Sequence, residues 1–191
     1  MQDALRNPCN QALLDGLAGL HLPDAWLVGG CLFQTVWNLL DGRSPDAGIR
    51  DYDIFYFDPK DLSDHSEQAV NRQAQALFSS LGVQLDVRNQ ARVHLWYPTY
   101  FGRPCPPLQN ACEGVDRFLV GSTSVGLRRE AGHVQVYAPY GLDDMYRGIL
   151  SPNPRVDHGL LYENKVLDYQ TRWNWLRRSD PAPRAAAFPD L

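Results

Sequence analysis

The sequence predicts a mixed α/β fold of the α+β kind, a partly antiparallel sheet flanked by helices with a helical C-terminal part. Short apolar runs alternate with segments in which apolar residues recur every three to four positions. Residues 124–128 and 133–137 flank Arg129-Glu-Ala-Gly132, the pattern of a hairpin, so the sheet is not purely parallel. A chain of 191 residues with 44% hydrophobic and 21% charged residues has the material for one core.

Taken in order, Leu13, Leu14, Leu17 and Leu20 share one face of a helix over residues 10–20, and Pro23 lies beyond its end. Residues 25–28 form a short apolar strand closed by Gly29-Gly30. Helical spacing then returns at Leu32, Val36, Leu39 and Leu40 and stops at Asp41-Gly42. After a loop over 43–50, Tyr52-Asp-Ile-Phe-Tyr-Phe57 reads as a second strand, ended by Pro59. Ser63 or Asp64 caps a helix whose inner face is Val70, Ala74, Leu77, Phe78 and Leu81, and Gly82 stops it. Residues 83–88 make a third strand. From Asn89 two readings stay open, since Val93, Leu95 and Tyr97 fit a strand while Val93, Trp96, Tyr97 and Tyr100 fit a helix. Residues 100–113 read as loop, 142–149 as a short helix, and 160–176 as a longer one with Leu161, Val166, Tyr169, Trp173 and Leu176 in one stripe. Residues 1–179 are expected to form one domain, its sheet over about 24–138 and its helical part over about 141–178, with 180–191 as a Pro- and Ala-rich flexible tail.

The charge balance narrows the partners. Eighteen Lys and Arg against 22 Asp and Glu leave a net charge of -4 with no basic block, which disfavours a long nucleic acid gripped by a positive face. No apolar run is long enough to span a membrane, and the first residues lack the basic-then-apolar pattern of a signal peptide, so a cytoplasmic protein with no membrane partner is expected. Cys9, Cys31, Cys105 and Cys112 have neither metal-ligand nor disulfide-scaffold spacing and read as ordinary thiols. The tryptophans at 37, 96, 173 and 175 read as packing residues, with Trp96, Tyr97 and Tyr100 also placed to line a pocket near the third strand.

Chemistry concentrates between residues 27 and 55. Gly29 and Gly30, at a strand-to-helix turn, let the backbone approach a ligand where the helix start offers free N–H groups to a phosphate. Asp51 and Asp53 lie two apart in a strand, so both carboxylates project from one face. Two like charges held together call for a cation, and magnesium or manganese prefers such oxygen ligands. Asp86, polar amid apolar neighbours in the third strand, is the candidate third acid. If that strand continues, Arg88, Gln90, Arg92 and His94 share its face. Gln34 and Asn38 sit one helical turn apart after the glycine turn, and Arg88, Arg92 and Lys165 are the cations available to balance a triphosphate.

At these residues the chain resembles the nucleotidyltransferases of the DNA polymerase β superfamily, whose pattern is an apolar strand, a glycine pair, a helix, a D-x-D strand and a later acid. Trp26-Leu-Val-Gly-Gly30, Asp51-Tyr-Asp-Ile-Phe-Tyr-Phe-Asp58, Val87-Arg-Asn-Gln-Ala-Arg-Val-His-Leu-Trp96 and Tyr137-Ala-Pro-Tyr-Gly-Leu142 look like a bacterial family of small nucleotidyltransferase-like proteins, over about residues 24–175. The long interval from Gly30 to Asp51, and Cys31 after the glycine pair, depart from the usual pattern without removing an acid. The resemblance implies transfer of a nucleoside monophosphate from a nucleoside triphosphate such as ATP to a hydroxyl acceptor, a small molecule, tRNA or protein, with pyrophosphate released. It implies catalytic and metal-binding Asp51, Asp53 and Asp86 with Mg2+ or Mn2+, and a nucleotide held by Gly29, Gly30, Gln34, Arg88, Arg92 and Lys165. The competing reading is a catalytically idle nucleotide-binding or protein-interaction module on the same fold.

Overall fold

The computed structural model describes residues 1–156 and 159–179. The tail expected to be flexible, residues 180–191, lies outside them. A five-stranded sheet forms the centre, in the order β3 (Gln84–Asn89), β2 (Asp51–Tyr56), β1 (Trp26–Val28), β4 (Gly126–Glu130) and β5 (His133–Tyr137). β1 runs antiparallel to β2 and β4, β4 and β5 form the hairpin, and β2 and β3 are parallel. The mixed, partly antiparallel sheet expected from the sequence is therefore present.

Helices α1 (Pro8–Gly16) and α2 (Gly30–Leu40), together with α7 (Gly159–Arg172), supply the main core. Alternation decides which strand residues join it. Tyr52, Ile54 and Tyr56 of β2, Leu85 and Val87 of β3, and Leu27 and Leu127 are buried in this core. Within it Phe33, Trp37, Tyr169 and Trp173 make a chain of aromatic contacts with ring centroids 4.7 to 5.4 Å apart. The buried indoles are satisfied: Trp37 Nε1 donates to the Met145 carbonyl and Trp173 Nε1 to Asn38 Oδ1, both at 3.0 Å. The alternate residues, Asp51, Asp53 and Phe55 of β2 with Asp86 and Arg88 of β3, belong to the other face of the sheet.

On that other face Trp26 and Val28 pack with Ala111 and Val115 of α5 (Cys112–Val115) and its approach, with Phe118 beside them. Helix α6 (Asp143–Arg147) leads into β6 (Ile149–Leu150), which pairs with β7 (Arg177–Arg178) as a separate two-stranded sheet.

One open reading is settled and two local expectations are corrected. The third strand ends at Asn89. A 3-10 turn, Gln90–Arg92, leads directly into α4 (Val93–Phe101). The Asn89 side chain makes this change of direction, its Oδ1 accepting from the N–H groups of Asp58 and Ala91 while its Nδ2 donates to the Asp58 carbonyl. Gln90, Arg92 and His94 therefore do not extend the strand face of Asp86 and Arg88. Leu77, placed by spacing on the inner face of α3 (Asp64–Leu77), is 49% exposed, because that helix meets the sheet largely through polar side chains. Leu161, expected in the buried stripe of α7, is also 49% exposed, while Val166 and Tyr169 are buried.

β3 is the edge of the sheet, and α3 closes that edge. Glu67, Asn71 and Gln75, one helical turn apart, accept from the backbone N–H groups of Asn89, Val87 and Leu85 at 2.8, 2.9 and 3.3 Å. Asn71 and Gln75 also donate to the carbonyls of Val87 and Val83. Ser63 caps the helix by accepting from the N–H of Ser66. The result fixes Asp86 and Arg88 between anchored residues of β3.

Candidate active site

The parallel register sets Asp53 of β2 beside Asp86 of β3, with Asp51 two residues earlier on the same face as Asp53. Three sequence-predicted acids are thus brought to one edge of the sheet. Asp53 is the most perturbed: partial burial, then the negative charges of Asp51 and Asp86, raise its pKa from 3.8 to about 7. Lys165, from α7, and Arg88 oppose the rise, so two of the three predicted cations act on this carboxyl. Asp86 is held by Arg88, whose Nε lies 2.7 Å from its Oδ1. Burial, and next the charge of Asp53, push the Cys31 thiol far above its usual range. It is an inert packing group, and all four cysteines are free thiols.

The glycine turn lies beside Asp53. Gly29 adopts φ 65° and ψ -122°, a conformation that L side chains rarely enter, and it caps α2 without a side chain. A Cβ here would come within 2.9 Å of the Phe118 ring and 3.9 Å of Asp53 Oδ2. Gly29→Ala is therefore expected to lose about 2 kcal/mol of stability from backbone strain and the ring clash, read as a lower denaturation midpoint. An unchanged midpoint would show that the turn tolerates a side chain. A Cβ on Gly30 would sit 3.0 Å from Gln34 Nε2, placing that amide at the turn, while Gln34 Oε1 accepts from Arg172 at 2.6 Å.

Arg92 stands apart from the other predicted cations. Its Nη1 meets Glu67 Oε1 at 2.5 Å, its Nη2 lies 3.3 Å from Asp64, and its Nε donates to the Leu62 carbonyl. Its guanidinium is spent on the protein.

A cavity of about 690 Å3 opens from Asp53, Asp86 and Arg88. Trp96, read from the sequence first as a packing residue, is 39% exposed, and with Tyr97 and Tyr100, named with it as an alternative pocket wall, it lines this cavity. The sequence reading missed Phe101, Arg103, Arg117 and Phe118, which come from the Pro-rich loop and its surroundings, where no periodicity marks a face. Among the described residues, no cluster of three His, Cys, Asp or Glu side chains is gathered closely enough to hold a metal ion by itself. The carboxylate oxygens of Asp51 and Asp53, with Asp86 in register beside them, are the hard donors that fit a cation such as Mg2+, which binds through one or two carboxylates and completes its shell with substrate phosphates and water. No helix among the described residues is long and apolar enough to cross a membrane.

A family model described as nucleotidyltransferase matches residues 15–178. A solved structure, described as an NMR structure that reveals a CCA-adding enzyme head domain, superimposes with a TM-score of 0.77 at 26% identity, covering 93% of each chain. A search of curated proteins finds no match. With the model spanning most of the chain, from α1 to β7, over the glycine turn and all three acids, the protein belongs to this nucleotidyltransferase family.

Proposed function

We propose that the protein transfers a nucleoside monophosphate from a nucleoside triphosphate to a hydroxyl acceptor, releasing pyrophosphate. The observation that carries this reading is the meeting of Asp53 with Asp86 across the strand register, with Asp51 on the same face, beside a side-chain-free helix start; burial and the two neighbouring charges raise the Asp53 carboxyl to about 7. A group in that position gains from a cation, and the turn beside it suits the phosphates that bring one.

In this reading Asp51 and Asp53 hold Mg2+ or Mn2+, with Asp86 completing the acidic set. A divalent ion there supplies charge neutralisation and orientation for the phosphates. Gly29 and Gly30 admit the triphosphate to the start of α2. Gln34, Arg88 and Lys165 face it, Lys165 countering the charge that Asp53 leaves on the α7 side. The acceptor hydroxyl attacks the α-phosphorus and gives its proton to Asp86, which Arg88 holds in place. The edge contacts of α3 and the Glu67–Arg92 pair keep Asp86 and Arg88 in register, so Arg92 is a positioning residue rather than a phosphate ligand.

Calorimetry of the wild type and of the double variant Asp51→Ala, Asp53→Ala against each nucleoside triphosphate with magnesium tests the assignment. Magnesium-dependent binding is expected in the wild type and is lost in the folded double variant. Equal binding by both proteins would remove these carboxylates from the site.

A further inference from the structure

The cavity that opens from Asp53 and Asp86 does not include the glycine turn. None of Gly29, Gly30, Gln34 and Lys165 lines it. If the triphosphate occupies the turn, as the proposed function has it, the cavity is the space from which an acceptor reaches the acids.

Its lining has two chemistries. α4 presents Trp96, Tyr97 and Tyr100, and Trp96 and Tyr100 remain 39% and 78% exposed although their rings contact one another. Apolar ring surface of this extent, kept out of the core and turned toward a polar site, suits stacking by a planar ligand. The second element is Arg117, whose guanidinium stands 5.9 Å from the centre of the Tyr97 ring. Its Nε is buried and has no hydrogen-bond partner among the described residues. The guanidinium stands at the cavity wall with that nitrogen tied to no protein acceptor, and its charge there suits an anionic group on a ligand. A cavity of about 690 Å3 lies within the range of small-molecule sites, and its lining carries as many acidic residues as arginines, which offers no extended grip for a polyanion.

We infer that this cavity is the acceptor subsite and that its acceptor is a small molecule of nucleotide chemistry: a planar ring on Trp96 and Tyr97, one anionic group on Arg117, and a hydroxyl directed at Asp86. The assignment rests on the glycine turn being the triphosphate site. In the reaction the acceptor oxygen bonds to the α-phosphorus and the bond from that phosphorus to the β-bridging oxygen breaks. Pyrophosphate carries away the electron pair, and the hydroxyl proton goes to Asp86.

The test is calorimetry of the full chain with the four nucleoside 5′-monophosphates, in magnesium and a saturating α,β-methylene triphosphate. The variants are Trp96→Ala, Arg117→Gln and Tyr100→Ala, each checked for folding by circular dichroism. Tyr100 is exposed enough that its removal leaves the core untouched. A monophosphate is expected to bind the wild type and to weaken about tenfold in Trp96→Ala and Arg117→Gln, and less in Tyr100→Ala, as loss of a stacking platform or charged donor predicts. Triphosphate affinity should stay within about twofold, since the altered residues lie outside its site. If the triphosphate weakens in parallel, the cavity holds the donor's base and the inference fails. Binding of a short single-stranded RNA in place of every monophosphate would overturn it in favour of a macromolecular acceptor. If nothing enters the cavity while the triphosphate binds, the acceptor assignment falls and the proposed function stands. A wild type that binds no triphosphate overturns the proposed function, and the acceptor assignment with it.

Discussion

Asp53→Asn is expected to reduce nucleotidyl transfer at least about a hundredfold, and at the same time to make the metal-free protein more stable at neutral pH. Asp53 is ordinary in the unfolded chain, near 3.8, and raised to about 7 in the fold. Between those values the native state holds a proton that the unfolded state has released, so stability falls as pH rises. The favourable contribution is complete below about pH 3.8 and is gone above about 7. At pH 8 the carboxylate is charged in the fold, beside Asp51 and Asp86, and the repulsion is fully expressed. Asparagine removes it while keeping the shape. A full shift of this size corresponds to about 4 kcal/mol, and solvent access together with the retained burial of an amide reduces the expected gain to about 2 kcal/mol. Thermal denaturation from pH 4 to 8 without metal reads both effects: the wild type should lose stability across that window more steeply than the variant. Magnesium should raise the melting temperature of the wild type and leave the variant nearly unmoved. A variant that is less stable than the wild type at pH 8, or that retains more than about a tenth of the transfer rate, would show that Asp53 is a structural carboxyl. The gain in stability on loss of function is the signature of a site held under electrostatic strain.

That strain was half legible in the sequence. The period of two in a strand places Asp51 and Asp53 on one face without any structure, and the glycine pair between an apolar strand and a helix announces a tight turn. The pairing of Asp53 with Asp86 was not legible, because parallel register is fixed by packing of segments more than 30 residues apart. The segment after Asn89 satisfied two periodicities at once. The choice between them is made by one buried asparagine, whose side chain gathers backbone groups from both sides of the bend. The exposure of Leu77 and the anchoring of β3 have one cause. Glu67, Asn71 and Gln75 carry no apolar period, yet their spacing of four matches alternate residues of an extended strand closely enough to serve its free N–H groups. A sequence reading that asks only where apolar residues recur does not see a helix docked by amides and a carboxylate. The cavity wall of α4 was visible as a cluster of aromatic residues, whereas Arg117 comes from a stretch with no period at all.

Arg92→Ala carries the largest expected loss of stability, about 3 kcal/mol, because it strands a buried carboxylate. The Glu67 side chain is 6% exposed and that of Arg92 11%. One Glu67 oxygen takes the Arg92 guanidinium, the other accepts the N–H of Asn89, and Arg88 is a further 3.6 Å from the first. Without Arg92 the carboxylate keeps that partly exposed Arg88 as its nearest cation, and the Leu62 carbonyl loses its donor. The bend at Asn89 should loosen, and with it the alignment of Asp86 against Arg88. Urea denaturation reads the stability. Faster amide hydrogen exchange at Val87 and Asn89 than in the wild type locates the damage to the edge of β3. The sequence placed Arg92 among the nucleotide ligands, so the same variant separates the two roles. As a positioning residue it should leave triphosphate affinity within about threefold when measured well below the variant's melting temperature, while the transfer rate falls. Triphosphate affinity lost by a variant of wild-type stability would return Arg92 to the phosphates. Arg92→Lys sharpens the distinction: a lysine keeps the charge but lacks the fork that reaches Glu67, Asp64 and the Leu62 carbonyl together, so it should recover less than half of the lost stability.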